Sequence, residues 1–344
     1  MKKTLLYISI LTLSIIQGKM EAQVNNDFKA MIEAATKAPS GHNTQPWLFK
    51  VNQSSIEILP NLADTLPVVD KNNRELFISL GAATENLCIM ASHLGYYPTI
   101  KTDDKTQTIT IELGKSNNIQ KDDLALQIAK RQTNRNVYDE KVVPKDILSI
   151  LENQTLHEGI YRYTISKEDS LFSTLKSYVV RGNEIQMNDD AFKDELLRYM
   201  RLNNKEVEKN PTGLTYKVMG APSLPAIISR PIVKSYLKAD KQNKSDIRKI
   251  ESSSHFILFT TENDTFIQWV DLGRSLERYL LKISELNLAY AFLNQPCEVK
   301  SLSDEMQKEV PLIRGQHPTL LLRIGYAPKA PYSPRKNIED VILK

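Results

Sequence analysis

The chain has 344 residues, of which 41% are apolar and 25% charged, so it can bury a sizeable core as one large domain or two modest ones. This composition excludes an intrinsically disordered chain. The formal net charge of +4 is too small for the basic surface that a nucleic-acid-binding protein needs, so a small-molecule partner is expected.

The first residues, MKKTLLYISILTLSIIQGKMEAQ, predict a signal peptide over residues 1–22. Two lysines precede the apolar run Leu5–Ile16, which is too short to span a bilayer but has the length of a signal-peptide core. We therefore expect an exported, periplasmic protein without a stable membrane span. An uncleaved anchor and a cytoplasmic location are the alternatives, because Met20 and Glu21 make a poor cleavage site.

The spacing of apolar residues predicts the elements of the first part of the chain. After Asp27, a predicted N-cap, apolar positions follow a helical period that Pro39 ends. WLFKV and SIEIL predict paired strands, and residues 74–94 carry the apolar stripe of a long helix. YYPTIK and QTITIEL then predict a hairpin.

A polar break at residues 114–123 divides the chain into two predicted halves, 27–118 and 119–344. Within the second half, residues 203–225 show no period and are rich in Asn, Pro and Gly. A structureless stretch of this length inside a compact domain is typical of a lid or a disordered segment, and we interpret it as a lid.

The second half has the same character as the first. Pro144 opens a helix, HFILFTT predicts a buried strand, and a long helix with an apolar stripe follows over residues 269–286. LAYAF and PTLLLRIGYAP add two strands. This alternation predicts an α+β fold in which helices cover mixed β-sheets, and the long helix in each half permits a diverged pseudo-dimer.

Several common enzyme classes are excluded by missing motifs. The sequence contains no GxGxxG, GxxxxGK[ST], HExxH or GxSxG. The two cysteines, Cys88 and Cys297, are far apart, and neither has a second cysteine at redox or metal-ligand spacing. We therefore expect neither a disulfide nor a metal site.

The loop APSGHNTQPW at residues 38–47 concentrates hydrogen-bonding groups between two prolines. Ser40, Asn43 and Gln45 offer donors and acceptors together, an arrangement that suits a planar heterocycle. The alternative is a turn whose polar side chains only cap their own backbone. The histidine in this loop has no specific predicted role.

Two further polar segments stand out, and the first of them is suited to an anion. In RQTNR, extended backbone would place Arg131, Thr133 and Arg135 on one face, where two guanidinium groups and a hydroxyl can bind a phosphate. The alternative is a solvated basic helix end. Arg335, in the sequence SPR, is an isolated arginine beside prolines.

Together these segments resemble the FMN-binding nitroreductase superfamily, specifically its Acg-like branch, in which one chain looks like two fused nitroreductase units. The resemblance covers nearly all of residues 27–344. The stretches that carry it are APSGHNTQPW at 38–47, RELFISLGAATENL at 74–87, RQTNR at 131–135, WVDLGRSLERYLLKISELNLAYAFLNQP at 269–296, and HPTLLLRIGYAP through SPRKNIEDVI at 317–342.

The resemblance implies one intramolecular FMN site that both halves complete. It implies that Arg131, Thr133 and Arg335 hold the phosphate and that Arg135 lies beside the C2 carbonyl and N1 of the ring, where a cation stabilises reduced flavin. Main-chain N–H groups near Asn294 and Gln295 are expected to approach flavin N5. The loop is expected to contact the ring through Pro39, Ser40, Gly41, Asn43 and Gln45.

Two departures from the family pattern bear on this site. Ser333 stands where the superfamily often has a lysine or arginine, which lowers the expected phosphate affinity. The irregular segment 203–225 resembles the lid that covers the flavin in Acg-like proteins, and a covered flavin is expected to react poorly with large nitroaromatics.

The implied function is an FMN-dependent NAD(P)H oxidoreductase, of low activity if the lid stays closed, that reduces a nitro or quinone-type acceptor. One alternative is a lid-covered protein that stores or sequesters FMN, and a weaker one is a fold relic that serves as an interaction protein. We expect a monomeric pseudo-dimer or a homodimer. Because Lys2 and Lys3 are not a twin-arginine signal, a chain exported unfolded must acquire FMN outside the cytoplasm.

Overall fold

The computed structural model describes residues 25–343. The predicted signal peptide over residues 1–22 therefore lies outside the described residues. Within the described part of the chain, no helix is both long and apolar enough to cross a bilayer.

The first sheet is built from one continuous stretch of chain. Its strands are antiparallel and lie in the order β1-β2-β4-β3. Isoleucines at alternate positions of β2 and β4 are buried, which is the pattern of strands with one face on the core. The elements are α1 (Asn26–Thr36), β1 (Trp47–Val51), β2 (Ser55–Pro60), α2 (Arg74–His93), β3 (Tyr96–Asp103) and β4 (Thr108–Lys115).

The second sheet comes from the later stretch, and its strands are also antiparallel, in the order β5-β8-β10-β9. β8 is buried at every position, as expected for HFILFTT. The elements before it are α3 (Ala125–Ile128), α4 (Lys145–Glu152), β5 (Ile160–Ser166), α5 (Ser170–Asn188), α6 (Asp190–Arg198), β6 (Met200–Arg201), α7 (Asn204–Lys209), β7 (Leu214–Thr215), α8 (Ala226–Tyr236) and α9 (Ala239–Glu251). From β8 onward they are β8 (His255–Thr261), α10 (Phe266–Glu285), β9 (Ala289–Phe292), α11 (Gln295–Glu298), α12 (Lys300–Glu309) and β10 (His317–Gly325).

The α+β architecture with helices over sheets is confirmed. Parallel pairing among the described strands is confined to β6 with β7 and to a single bridge between Phe49 and Ile342. That bridge belongs to the C-terminal segment, in which Leu343 N donates to Phe49 O at 2.8 Å and Val341 O accepts from Phe49 N at 2.7 Å. The end of the chain thus returns to the edge of the first sheet.

Helices α2 and α10 join the two halves by crossing at a pair of glycines. A Cβ on Gly81 would lie 2.1 Å from Val270 O, and one on Gly273 would lie 2.0 Å from Ile78 O. Only residues without a side chain permit backbones to approach this closely. One continuous hydrophobic core contains residues of both sheets and both helices.

Two local predictions were wrong. The N-cap of α1 is Asn25, whose side chain accepts from Asp27 N, because the cap belongs one residue before the first helical turn. The segment 203–225 is not structureless, since α7 and β7 lie within it and β7 pairs with β6. Asn203 caps α7 by accepting from Glu206 N. The Asn-rich composition of this stretch therefore includes a helix N-cap, although it was interpreted as irregular.

Candidate functional site

A cavity of about 220 Å³ lies where loop 38–47, α2 and α10 meet the start of α11. Polar groups line part of its wall and apolar side chains the rest, a combination common in cofactor sites. Residues 27–118 contribute Pro39, Ser40, Gly41, His42, Glu75, Ile78, Ser79 and Ala82. Residues 119–344 contribute Arg135, Gln186, Phe192, Leu214, Leu276, Phe292, Asn294, Gln295, Glu298 and Leu320.

Loop 38–47 reaches this cavity through strained backbone. His42, Asn43 and Gln45 have φ values of 47°, 55° and 55°, in the left-handed region that non-glycine residues seldom adopt. Ser40 stabilises the loop, because its carbonyl accepts from Asn43 N and its hydroxyl accepts from Gln45 N, both at 3.0 Å. The result is a fixed edge that presents Pro39, Ser40, Gly41 and His42 to the cavity.

Asn43, predicted to contact the ring, does not line the cavity. Its Nδ2 donates to Gly213 O and to Pro334 O, each at 3.3 Å, and its Oδ1 accepts from Arg335 Nη1 at 2.6 Å. The side chain therefore connects loop 38–47 to segment 203–225 and to the C-terminal segment. Sequence reasoning did not find this role because the partners are 170 or more residues away.

Gln45 has the same kind of role and is also absent from the cavity wall. Its Nε2 donates to Pro211 O at 2.8 Å, and its Oε1 accepts from Lys336 N at 2.8 Å. A fully buried amide must satisfy its donors and acceptors, and here main-chain groups of segment 203–225 and of the C-terminal segment do so. The predicted contact of this side chain with a heterocycle is thus replaced by protein contacts.

Arg135 lines the cavity and has no hydrogen-bond or ion-pair partner among the described residues. Burial lowers its pKa, and repulsion from Arg323 adds to this effect. A guanidinium group is protonated at neutral pH even so. The cavity therefore contains a cation that no carboxylate of the described chain neutralises, and the loop and the RQTNR segment meet at this point.

Arg131 lies in a separate cleft, together with Lys37 and Arg335. Its Nε is 3.2 Å from Glu277 Oε1, and its other nitrogens donate to the Tyr290 hydroxyl and to Lys37 O. Burial raises the pKa of Glu277 to about 7, although the nearby arginine opposes this shift. Arg131 thus makes two side-chain hydrogen bonds to protein groups, whereas its Nε forms an ion pair with Glu277 without a hydrogen bond.

Arg335 is beside Arg131, and both donate to Lys37 O. Its Nε is buried and has no partner among the described groups. Burial and repulsion from Arg131 lower the pKa of Arg335 to about 9. Two adjacent guanidinium groups with one carboxylate between them favour the binding of an anion.

Thr133, the third predicted phosphate ligand, lines neither the cavity nor this cleft and makes no side-chain hydrogen bond within residues 25–343.

Asn294 and Gln295 both line the cavity. Their main-chain N–H groups donate no hydrogen bond in the described part of the chain, so they remain available to a ligand. The Asn294 side chain donates to Glu75, and the Gln295 side chain donates to Asn183 Oδ1 at 3.1 Å and Asp246 Oδ2 at 3.3 Å. These bonds fix the segment that carries the two N–H groups.

Sequence reasoning missed a carboxyl pair, Glu75 and Glu298, in the cavity wall. Burial, and then repulsion from Glu298 and Asp70, raise the pKa of Glu75 well above its ordinary value. Burial also raises the pKa of Glu298, which accepts from Gln186 Nε2 at 2.5 Å. The raised pKa values of both groups favour a protonated carboxyl in this wall. No local motif marks these residues, which are more than two hundred positions apart.

His42 is a further cavity residue for which no role was predicted from the sequence. Burial and the nearby Arg135 lower the pKa of His42 to about 4. Its imidazole is therefore neutral at neutral pH and adds no charge beside the arginine.

Glu298→Gln is expected to weaken the decline of stability with rising pH. Because the pKa values of Glu75 and Glu298 are raised on folding, the folded chain keeps protons that the unfolded chain releases above about pH 4.5. The stability contributed by this pair is complete below that pH and is lost as the pH rises through the raised pKa values. The thermal unfolding midpoint, measured from about pH 5 to about pH 8, should fall less in Glu298→Gln than in the wild type.

The control for this measurement is Glu309→Gln, which changes an exposed glutamate at the end of α12. It should keep the wild-type slope. Equal slopes for wild type and Glu298→Gln would show that the carboxyl pair does not bind extra protons in the folded state.

Comparison with known proteins gives one strong result. No protein-family model matches the chain. A protein of Mycobacterium tuberculosis strain H37Rv, provisionally named an NAD(P)H nitroreductase, is 25% identical over 346 residues, which is 95% of this chain and 96% of the relative. This similarity over nearly the full length of both chains supports an assignment to the nitroreductase superfamily. An uncharacterized protein of the same strain is 23% identical over 343 residues, with 91% and 92% coverage.

Solved nitroreductases resemble only part of this chain. The FMN-dependent nitroreductase of Mycobacterium smegmatis in complex with NADPH is 10% identical, with a TM-score of 0.41, and its alignment covers 62% of this chain and 94% of that one. A Bacteroides fragilis nitroreductase with bound FMN is 14% identical, with a TM-score of 0.36 and coverage of 62% and 94%. These likenesses are distant, and the full-length sequence similarity carries the assignment.

Proposed function

We propose that this nitroreductase-superfamily chain is an FMN-dependent oxidoreductase that uses NAD(P)H. The observation that carries the proposal is the cavity in which the unneutralised Arg135, the free N–H groups of Asn294 and Gln295, and the rigid edge at residues 39–42 meet. The name of the full-length relative supports the same activity. One chain supplies both sides of this cavity.

The residues present fit FMN in their chemistry. Apolar side chains would pack on the ring faces and exclude water, and Arg135 would neutralise negative charge at the ring edge. Arg131 and Arg335 would hold the phosphate, for which the unpaired Nε of Arg335 is a ready donor. The apolar wall consists of Ile78, Ala82, Leu276, Phe292 and Leu320.

The chemistry that FMN supplies when bound is hydride transfer from a reduced nicotinamide and, in a second step, reduction of a nitro or quinone-type acceptor. Burial raises the pKa values of Glu75 and Glu298 in the cavity wall, which favours the protonated form of these carboxyl groups. Leu214 of β7, which lies within segment 203–225, and Phe192 of α6 narrow the cavity. Small acceptors are therefore proposed in preference to large nitroaromatics. No specific observation favours the storage role, and export stays a proposal based on residues 1–22.

The test uses the purified chain loaded with FMN and kept free of oxygen. NADH or NADPH is added in slight excess, and the visible absorbance of the flavin is followed. Rapid loss of this absorbance, and its recovery when a quinone is added, would support the oxidoreductase. An unchanged spectrum from protein that retains FMN would contradict it. Free FMN at the same concentration is the control for direct reduction.

A further inference from the structure

Helix α8 exposes an apolar face that no described residue covers. Its outward side chains include Ile227, Ile228, Ile232 and Tyr236, which are 85%, 50%, 46% and 57% exposed. On a helix, these positions and Pro231 form one broad outward strip. A helix of a soluble protein ordinarily presents polar residues on this side. The strip therefore indicates an apolar partner.

The inward face of α8 is already used. Leu237, just past its last residue, is part of a buried cluster with Phe192 and Leu197 of α6, and Val233 packs against the same cluster. Ser229 is buried on this side, and its hydroxyl donates to Pro225 O at 3.2 Å. These contacts fix the rotation of the helix. Exposure of the isoleucines is thus imposed by the packing of the opposite face.

The charge around the strip is strongly basic. Between Ala226 and Lys244 the sequence has five basic residues and one acidic residue, Asp240. Lys241 Nζ lies 4.3 Å from the centre of the Tyr236 ring, so one cation lies at the edge of the apolar strip. Arg230 is the exception, because it pairs with Glu206 at 3.0 Å. The other lysines of this stretch, which have no ion-pair partner among the described residues, are Lys234, Lys238 and Lys244.

We propose that α8 is an interfacial helix that attaches the protein to the surface of an anionic phospholipid bilayer. Apolar side chains on one face and lysines beside it are the two features by which such helices bind lipid head groups and the upper acyl region. A second copy of this chain fits less well, because a symmetric contact would bring the lysines of both helices together. This attachment does not depend on the proposed redox activity.

The experiment places a reporter on the helix itself. Tyr236→Trp in the full chain is mixed with vesicles of phosphatidylglycerol and phosphatidylethanolamine whose acyl chains carry bromine, which quenches indole fluorescence on contact. The native Trp47 and Trp269 are buried, so the added indole is the exposed one in the described chain. We expect quenching and a blue shift that high salt weakens. Vesicles of phosphatidylcholine alone should give a much smaller effect.

The reporter separates α8 from any binding by residues 1–22, because only an indole that enters the acyl region is quenched. Leu62→Trp is the matched control, since Leu62 is 64% exposed in the first half of the chain. Its fluorescence should not change. Adding Ile227→Ser and Ile228→Ser to Tyr236→Trp should abolish the quenching while the far-UV circular dichroism stays the same.

Two outcomes would overturn the proposal. A folded Tyr236→Trp protein whose added indole is left unquenched by brominated anionic vesicles would show that α8 does not enter lipid, even if the chain sediments with the vesicles. A dimer in sedimentation velocity that Ile227→Ser dissociates, together with absent quenching, would assign the face to a second copy of the chain.

Discussion

Gly273→Ala is expected to lower the free energy of unfolding by about 3 kcal/mol, at the upper end of the usual cost of overpacking. The added Cβ would lie 2.0 Å from Ile78 O and 2.9 Å from Ala82 N, which are backbone atoms that no rotamer change can move away. Relief requires α2 and α10 to separate. Their separation would open the core that both halves share.

Urea unfolding with linear extrapolation measures this loss, and the matched control is Gly114→Ala. A Cβ on Gly114 has its nearest neighbour, Tyr97 O, at 4.0 Å, so the same chemical change should have little effect there. Gly81→Ala is expected to repeat the large loss from the other helix. A Gly273→Ala protein as stable as the control would mean that the two helices do not cross as closely as described.

The same variant also has a consequence for the cavity. Ile78, Ser79 and Ala82 of α2 line it from one side of the crossing, and Leu276 of α10 lines it from the other. Any folded fraction of Gly273→Ala should therefore bind FMN more weakly than Gly114→Ala does. This links the helix contact to the proposed function.

The long helices and core strands were predictable because their side chains carry a period. The apolar stripe of residues 74–94 corresponds to α2, and HFILFTT to β8, since burial of one face or of both leaves a clear pattern. The crossing of α2 and α10 was not predictable. Gly81 and Gly273 look like ordinary helix interruptions until the opposing backbone is known.

Helices α5 to α9 were not predicted, and for α8 and α9 the sequence explains why. α9 has only Asp246 and Ile250 buried, so its sequence lacks the stripe of apolar residues by which a helix is recognised. α8 has Pro231 inside it and isoleucines on its outer face, which is the reverse of the usual pattern. Amphipathic spacing predicts a helix reliably only when the core lies on the apolar side.

At the candidate site, sequence predicted which segments meet but not which atoms face the cavity. Ser40 and Gly41 line it, whereas Asn43 and Gln45, from the same loop, contact segment 203–225 and the C-terminal segment. An amide side chain forms hydrogen bonds with whichever backbone groups lie close to it. For Asn43 and Gln45 these groups belong to residues that are far away in the sequence. Glu75 and Glu298 could be recognised as a pair only from their positions in the folded structure.

Arg135→Gln is expected to weaken FMN binding about 10- to 100-fold, which corresponds to the loss of one charged hydrogen bond worth roughly 1.5–3 kcal/mol. Arg135 is the suitable position because it has no partner in the described chain, so its removal leaves no buried carboxylate uncompensated. Arg131→Ala is less informative. It would leave the buried Glu277 without its ion-pair partner, and loss of one member of a buried pair costs about 3–5 kcal/mol of stability.

The dissociation constant is measured by quenching of FMN fluorescence on titration with apoprotein. Arg314→Gln, an exposed arginine near the start of β10, is the matched control and should bind as the wild type does. Arg135→Lys should recover part of the affinity, because an ammonium group keeps the charge but loses the planar, multiply bonding guanidinium. If Arg135→Gln kept wild-type affinity and an unchanged unfolding midpoint, the unneutralised cation in the cavity would not contact the cofactor. The ring would then have to bind outside the cavity that residues 39–42 and Arg135 share.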